Sequence, residues 1–144
     1  MDLPEINTPK LTEEQIKNSP KSDYMNDEQL AFFKDKLLAL YEATNLRIQE
    51  AKDRMSKPLD GLSDPSDRAS WEEQSSIAFR IADREKNLVP KIQQSLERIR
   101  LGTYGYCLES DEPIGIPRLL ARPTAEYCAD VKEIQELKET RHRN

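Results

Sequence analysis

Asp64-Pro65-Ser66-Asp67-Arg68-Ala69-Ser70 is a short acidic turn set between two long, highly charged segments of helical periodicity. Upstream, over residues 26–56, Leu30, Phe33, Leu37, Tyr41, Thr44, Ile48, Ala51 and Met55 fall three and four apart, on one stripe of a helix. Downstream, Ile77, Ile81, Leu88, Ile92, Leu96 and Ile99 continue the pattern. Pro58, Gly61 and Pro65 lie between the stripes and stop one helix before the next begins. The simplest fold is an antiparallel helical hairpin with the acidic turn at its tip.

Local capping alone accounts for those acids. Asp64 suits an N-cap, Pro65 the first helical position and Asp67 the third, much like a capping box. What capping leaves unexplained is the length of the arm. Some thirty residues of helix extend roughly 45 Å, far more than a small core requires. A tip carboxylate with a chemical role needs metal or positive charge from a partner, since no His, Cys or Lys cluster completes a site there.

With 36% hydrophobic and 34% charged residues among 144, the chain is too polar for one large spherical core. A coiled coil, with a narrow apolar seam and solvated outer faces, fits better. A formal net charge of −5 argues against nonspecific nucleic-acid binding, which requires a surplus of Lys and Arg. No apolar run is long enough to span a bilayer, and Met1-Asp2-Leu3-Pro4 lacks an export pattern, so a cytoplasmic protein is expected. Its two cysteines are then more simply reduced thiols than a disulfide framework.

Three regions follow. Residues 1–25 read as a loosely ordered N-terminal arm, with a possible helical turn from Thr12 that places Glu13 and Glu14 against the dipole. Residues 26–100 form the coiled-coil hairpin, capped at Asn26 and carrying its acidic tip at 57–70. Pro90 interrupts the second helix, and the stripe on both sides favours one bent helix over two. Residues 101–144 form a small head. Gly102-Thr103-Tyr104-Gly105-Tyr106-Cys107 and Pro113-Ile114-Gly115-Ile116-Pro117 read as tight turns around short extended pieces, and Pro123-Thr124 caps a last helix from Ala125 to about Thr140.

Cys107-Leu108-Glu109-Ser110 and Cys128-Ala129-Asp130-Val131 have the frame of a double C-x-x-C zinc ribbon with the second thiol of each pair replaced. With Gly105-Tyr106-Cys107, Ile114-Gly115-Ile116, Ala121-Arg122-Pro123-Thr124-Ala125, the tip Asp64-x-x-Asp67-x-Ala69 and Tyr24-Met25-Asn26, this frame closely resembles the DksA/TraR family of transcription factors from about residue 24 onward. The resemblance implies a mainly α protein, a long antiparallel coiled-coil hairpin with a small zinc-ribbon-like head and a C-terminal helix. It implies a non-enzymatic, monomeric regulator that enters the secondary channel of bacterial RNA polymerase without binding DNA. There it would destabilise promoter complexes together with guanosine tetraphosphate (ppGpp).

By the same resemblance, Asp64, Asp67 and Ala69 are the functional tip and Arg84 a polymerase contact, although Arg84 also suits a solvated arginine. Lys91, Arg122 and Lys132 match cations that contact ppGpp, and their chemistry suits phosphate. The resemblance also brings Cys107 and Cys128 together, near enough for a disulfide. Zinc is not expected, because two thiolates cannot close a tetrahedral shell, Ser110 is a poor ligand, Val131 is none, and the one histidine, His142, lies in the tail. Tyr104, Tyr106, Ile114, Ile116, Leu119 and Val131 are expected to hold the head instead. Two other functions suit the same architecture: a transcript-cleavage factor whose tip acids hold a second metal ion, and a helical adaptor.

Overall fold

The computed structural model describes residues 11–56 and 64–143, the last two of these by their backbone alone. Pro58 and Gly61, read as the break between the helices, lie outside the described residues, as does residues 57–63 of the tip. Among the described residues five α-helices follow in order: α1 Glu13–Lys17, α2 Asp27–Met55, α3 Pro65–Leu101, α4 Ile116–Ala121 and α5 Ala129–Arg143, with a 3-10 turn at Lys21–Asp23. Among the described residues no strand forms, and the extended pieces of the head reduce to one antiparallel bridge between Tyr106 and Pro113.

The chain divides into two compact units, one from Leu38 to Gln94 and the other joining the residues up to Leu37 to those from Ser95. In the first, α2 and α3 run antiparallel. Ala51 packs against Ala78 and Ala82, with Met55 and Ile81 beside them, and farther along the Arg47 guanidinium reaches Glu85 at 3.2 Å. The α2 stripe is as the spacing predicts, with Phe33, Leu37, Thr44, Ile48 and Ala51 buried. On α3 the stripe is displaced near the tip. Ile77 is 47% exposed, whereas Ala78 and Ala82 are buried. Small side chains in a seam let two backbones approach closely, so alanine takes the positions a hydrophobic pattern assigns to isoleucine. Helix α3 continues through Pro90 as one element, which agrees with a single helix there.

The second unit is the head. Its core includes Ile16, Phe33, Tyr104, Cys107, Ile114, Leu119, Leu120, Ala125 and Cys128. Ile16 is 1% exposed and α1 packs on α4, so from Leu11 onward the N-terminal segment is part of the head rather than loose. The turn at Thr12 is a full capping box with Gln15. Ile116 and Pro117, read from the sequence as part of tight turns around short extended pieces, instead open helix α4, and Pro117 in its first turn suits a helix start. Helix α5 begins at Ala129 rather than Ala125. The preceding residues are committed elsewhere: the Leu108 N–H donates to the Glu126 carbonyl, and Ala125 and Cys128 are buried.

Candidate functional site

At the start of α3, Asp64 acts as the cap that the sequence predicts. Its Oδ1 accepts the Ser66 N–H at 3.0 Å, and its carbonyl accepts the Arg68 N–H at 3.1 Å. Asp67 and Ala69 lie in the first turns of the helix, and all three side chains are exposed. Two carboxylates thus face solvent at a helix N-terminus, with no cation paired to Asp67 among the described residues. Farther along α3, Arg84 is exposed. With Ile77, Arg80 and Ile81 it lines a shallow groove of about 230 Å³ on one helix face.

The three cations read as phosphate ligands lie on different elements. Lys91 is exposed on α3 in the hairpin unit. In the head unit, Arg122 is exposed at the C-cap of α4, its N–H donating to the Arg118 carbonyl at 2.8 Å, and Lys132 is half-buried on α5.

Cys107 and Cys128 are both free and buried, 1% and 8% exposed. The Ser110 hydroxyl lies 3.9 Å from Cys128 Sγ. That hydroxyl and the backbone N–H donors of Cys128, Ser110 and Glu109 favour the charged form of the Cys107 sulfur. Burial pushes the Cys107 thiol up, but these donors outweigh it and bring it down to about 7. A thiol whose folded value lies below its unfolded value, about 8.5, stabilises the fold above that unfolded value, and the contribution is lost as pH falls through about 7. Melting temperature is therefore expected to rise between about pH 6 and about pH 9, and Cys107→Ser to remove the rise. An equal rise in Cys107→Ser would assign it to other groups.

The donor set does not fit a tetrahedral zinc. Two thiols converge, but the position of a third ligand holds a hydroxyl and that of a fourth the apolar, half-buried Val131. The head is instead closed by side chains of the expected kind, with Tyr104, Ile114 and Leu119 buried and Tyr106, Ile116 and Val131 half-buried. Sequence reasoning assigned no role to two further elements of this closure. The Tyr24 hydroxyl donates to the Gly105 carbonyl and accepts the Gly115 N–H at 2.9 Å, tying the two turns of the head to the entry of α2. Arg98 pairs with Glu126 at 3.6 Å, and its carbonyl accepts the N–H groups of Thr103 and Tyr104. The motif Tyr24-Met25-Asn26 was the visible signal of the first; an arginine within a helix full of charges gave none of the second.

Residues 29–99 match the family profile described as DnaK suppressor protein DksA, N-terminal domain, and residues 102–137 match the prokaryotic dksA/traR C4-type zinc finger. The chain belongs to the DksA/TraR family. It is 41% identical over 126 residues to the RNA polymerase-binding transcription factor DksA of Caulobacter vibrioides, covering 88% of this chain and 89% of that one. To the protein of the same name from Escherichia coli K12 it is 36% identical, covering 88% and 83%. The solved structure of transcription factor DksA2 from Pseudomonas aeruginosa aligns with a TM-score of 0.75 at 41% identity, over 90% of this chain and 99% of that chain. The C4 description of the family's finger and the two cysteines of this chain are at odds at Ser110 and Val131. Among the described residues no helix is long and apolar enough to cross a membrane.

Proposed function

We propose that this chain is a non-enzymatic regulator of transcription that binds bacterial RNA polymerase, acting in the cytoplasm as a monomer without contacting DNA. Its similarity over 126 residues to proteins named RNA polymerase-binding transcription factor DksA carries the reading. The hairpin enters the secondary channel, with Asp64, Asp67 and Ala69 as the working tip and Arg84 contacting polymerase. The support is chemical: carboxylates at an exposed helix start can act on a cationic or metal-bearing centre supplied by the partner. The test adds the chain to polymerase on a promoter and follows complex lifetime under a competitor. Shorter lifetime without any shortening of the transcript in stalled complexes is the expected result; transcript cleavage would favour the cleavage factor instead, and neither effect would favour the adaptor.

We further propose that Lys91, Arg122 and Lys132 face ppGpp at the polymerase interface. Each offers a cation to phosphate, and Lys91 and Arg122 are exposed. Reversing the charge at Arg122 or Lys132 is expected to abolish the added effect of ppGpp on promoter-complex lifetime and to leave the nucleotide-independent effect largely intact. Full synergy in both variants would remove this site.

The head folds independently of zinc in this proposal, because its donors fill only half a tetrahedral shell. Purified protein is expected to carry well under one zinc per chain by elemental analysis, with its melting curve unchanged by chelator. Stoichiometric zinc and a large loss of stability on chelation would bring nearby carboxylates or His142 into the site.

A further inference from the structure

We propose that Cys107 and Cys128 form a two-coordinate site for a soft monovalent cation of closed d shell, for which Cu(I) is the probe. The turn that opens at Cys107, closed by the Asp111 N–H on the Cys107 carbonyl at 3.0 Å, sets the Ser110 hydroxyl 3.9 Å from Cys128 Sγ. The Ser110 hydroxyl and the Cys128 backbone also favour the charged form of the Cys107 sulfur. Both cysteines are buried and neither is in a disulfide. Among the described residues no third Cys, His, Asp or Glu joins them in a metal-holding group, and the half-buried Val131 stands at the sequence position of a further thiol in the double C-x-x-C frame.

That donor set discriminates between metals. Zn(II) prefers four ligands in a tetrahedron, and loses most of its affinity when half are absent. Thiolates select soft ions, and a closed-shell monovalent ion such as Cu(I) is satisfied by two sulfurs in a line. In the binding step each S–H bond breaks, its proton passes to solvent, and each sulfur forms one bond to copper. Copper stays Cu(I) throughout, so no oxidant or reductant is needed. The bound unit carries one net negative charge in a buried place. The N–H groups of Glu109, Ser110 and Cys128 already aim at the Cys107 sulfur and face that charge. The bonds would tie the turn after Cys107 to the residue immediately before α5, so occupancy should stabilise the head.

The experiment uses the reduced full-length chain under anaerobic conditions, titrated with Cu(I) in competition with a chromophoric Cu(I) chelator and, separately, with Zn(II). One Cu(I) per chain, a higher melting temperature and an X-ray absorption spectrum showing two sulfur neighbours alone are expected. Zn(II) should produce neither binding nor stabilisation. Cys107→Ser and Cys128→Ser, each checked for helix content, should lose stoichiometric Cu(I). Ser110→Cys supplies a third thiol between the two and needs no loss of a native ligand; it should keep one copper per chain and raise the sulfur count to three. The proposal is overturned if the chelator retains all the copper against the wild-type chain, if both cysteine variants still bind one equivalent, or if nitrogen or oxygen neighbours appear in the spectrum.

Discussion

Asp67→Asn should leave the chain folded and bound to polymerase while most of its effect on promoter-complex lifetime disappears. The two consequences separate because the side chain serves the helix and the partner differently. Asp67 is exposed in the first turn of α3, where a carboxylate favours the helix dipole by about 0.3–1 kcal/mol. The cap itself is Asp64, whose Oδ1 holds the Ser66 N–H. Asn at position 67 therefore costs little of the fold, yet removes one of the two exposed carboxylates at the start of α3. Asp64→Asn is the companion variant: Asn caps a helix about as well as Asp, so it keeps the fold and reads the contribution of the second tip charge to promoter-complex lifetime. Melting temperature, polymerase affinity and promoter-complex half-life are measured for both. If Asp67→Asn shortens complex lifetime as fully as the native chain, the tip does not act through its carboxylate; if it fails to bind, the residue is an anchor instead.

The hairpin was legible in the sequence because its signal is periodic. Eight positions of the α2 stripe, from Leu30 to Met55, repeat at three and four, and all eight are buried or half-buried. The caps at Asn26 and Asp64 were legible for an equally local reason, since each side chain holds an N–H two or three residues on. Reading failed where partners decide. Ala78 and Ala82 carry too little hydrophobicity to stand out in a pattern, and it is Ala51 across the seam that makes them core. The start of α5 is set by the pairing of Leu108 with Glu126, eighteen residues apart in number and invisible to any window. Helix α4 was hidden by Pro113, Gly115 and Pro117, which announce turns, although Gly115 at φ 100° and Pro117 just inside the helix together make a serviceable start.

The candidate site divides along the same line. Capping chemistry finds Asp64 and Asp67, but the role proposed for them on a partner rests on the family resemblance rather than on anything the isolated chain displays. The cations Lys91, Arg122 and Lys132 are ordinary surface groups by local criteria. Tyr24 is the opposite case: its role is wholly within this fold and wholly non-local, because the groups it joins, at Gly105 and Gly115, are 81 and 91 residues away. A family whose finger is described as C4 can lose two thiols only if contacts of this kind carry the closure, so the junction of Tyr24 and Met25 with Gly105 is the place to test it.

Gly105→Ala should destabilise the chain by about 3 kcal/mol, and Met25→Ala should cancel part of that loss. Two separate effects meet at this glycine. Its φ of 91° lies in the region that side chains avoid, which costs of order 1–3 kcal/mol for alanine. In addition, a Cβ there would stand 2.8 Å from Met25 Cγ and 2.9 Å from its Sδ, closer than such atoms pack. Met25 has little freedom to withdraw. It is itself held at φ 55°, and its N–H donates to Gln29 Oε1 at 2.9 Å, a bond that belongs to the start of α2. The Tyr24 hydroxyl, 3.3 Å from the same added carbon, grips the Gly105 carbonyl and resists any shift of the turn. In the Met25→Ala background the two closest contacts vanish, leaving the backbone strain and the Tyr24 hydroxyl at 3.3 Å, so Gly105→Ala should cost less there than in the native chain. Denaturant unfolding of the four proteins of this cycle gives the coupling directly. A coupling of zero would mean that the turn moves away from Met25 freely, and that the entry of α2 does not brace the head.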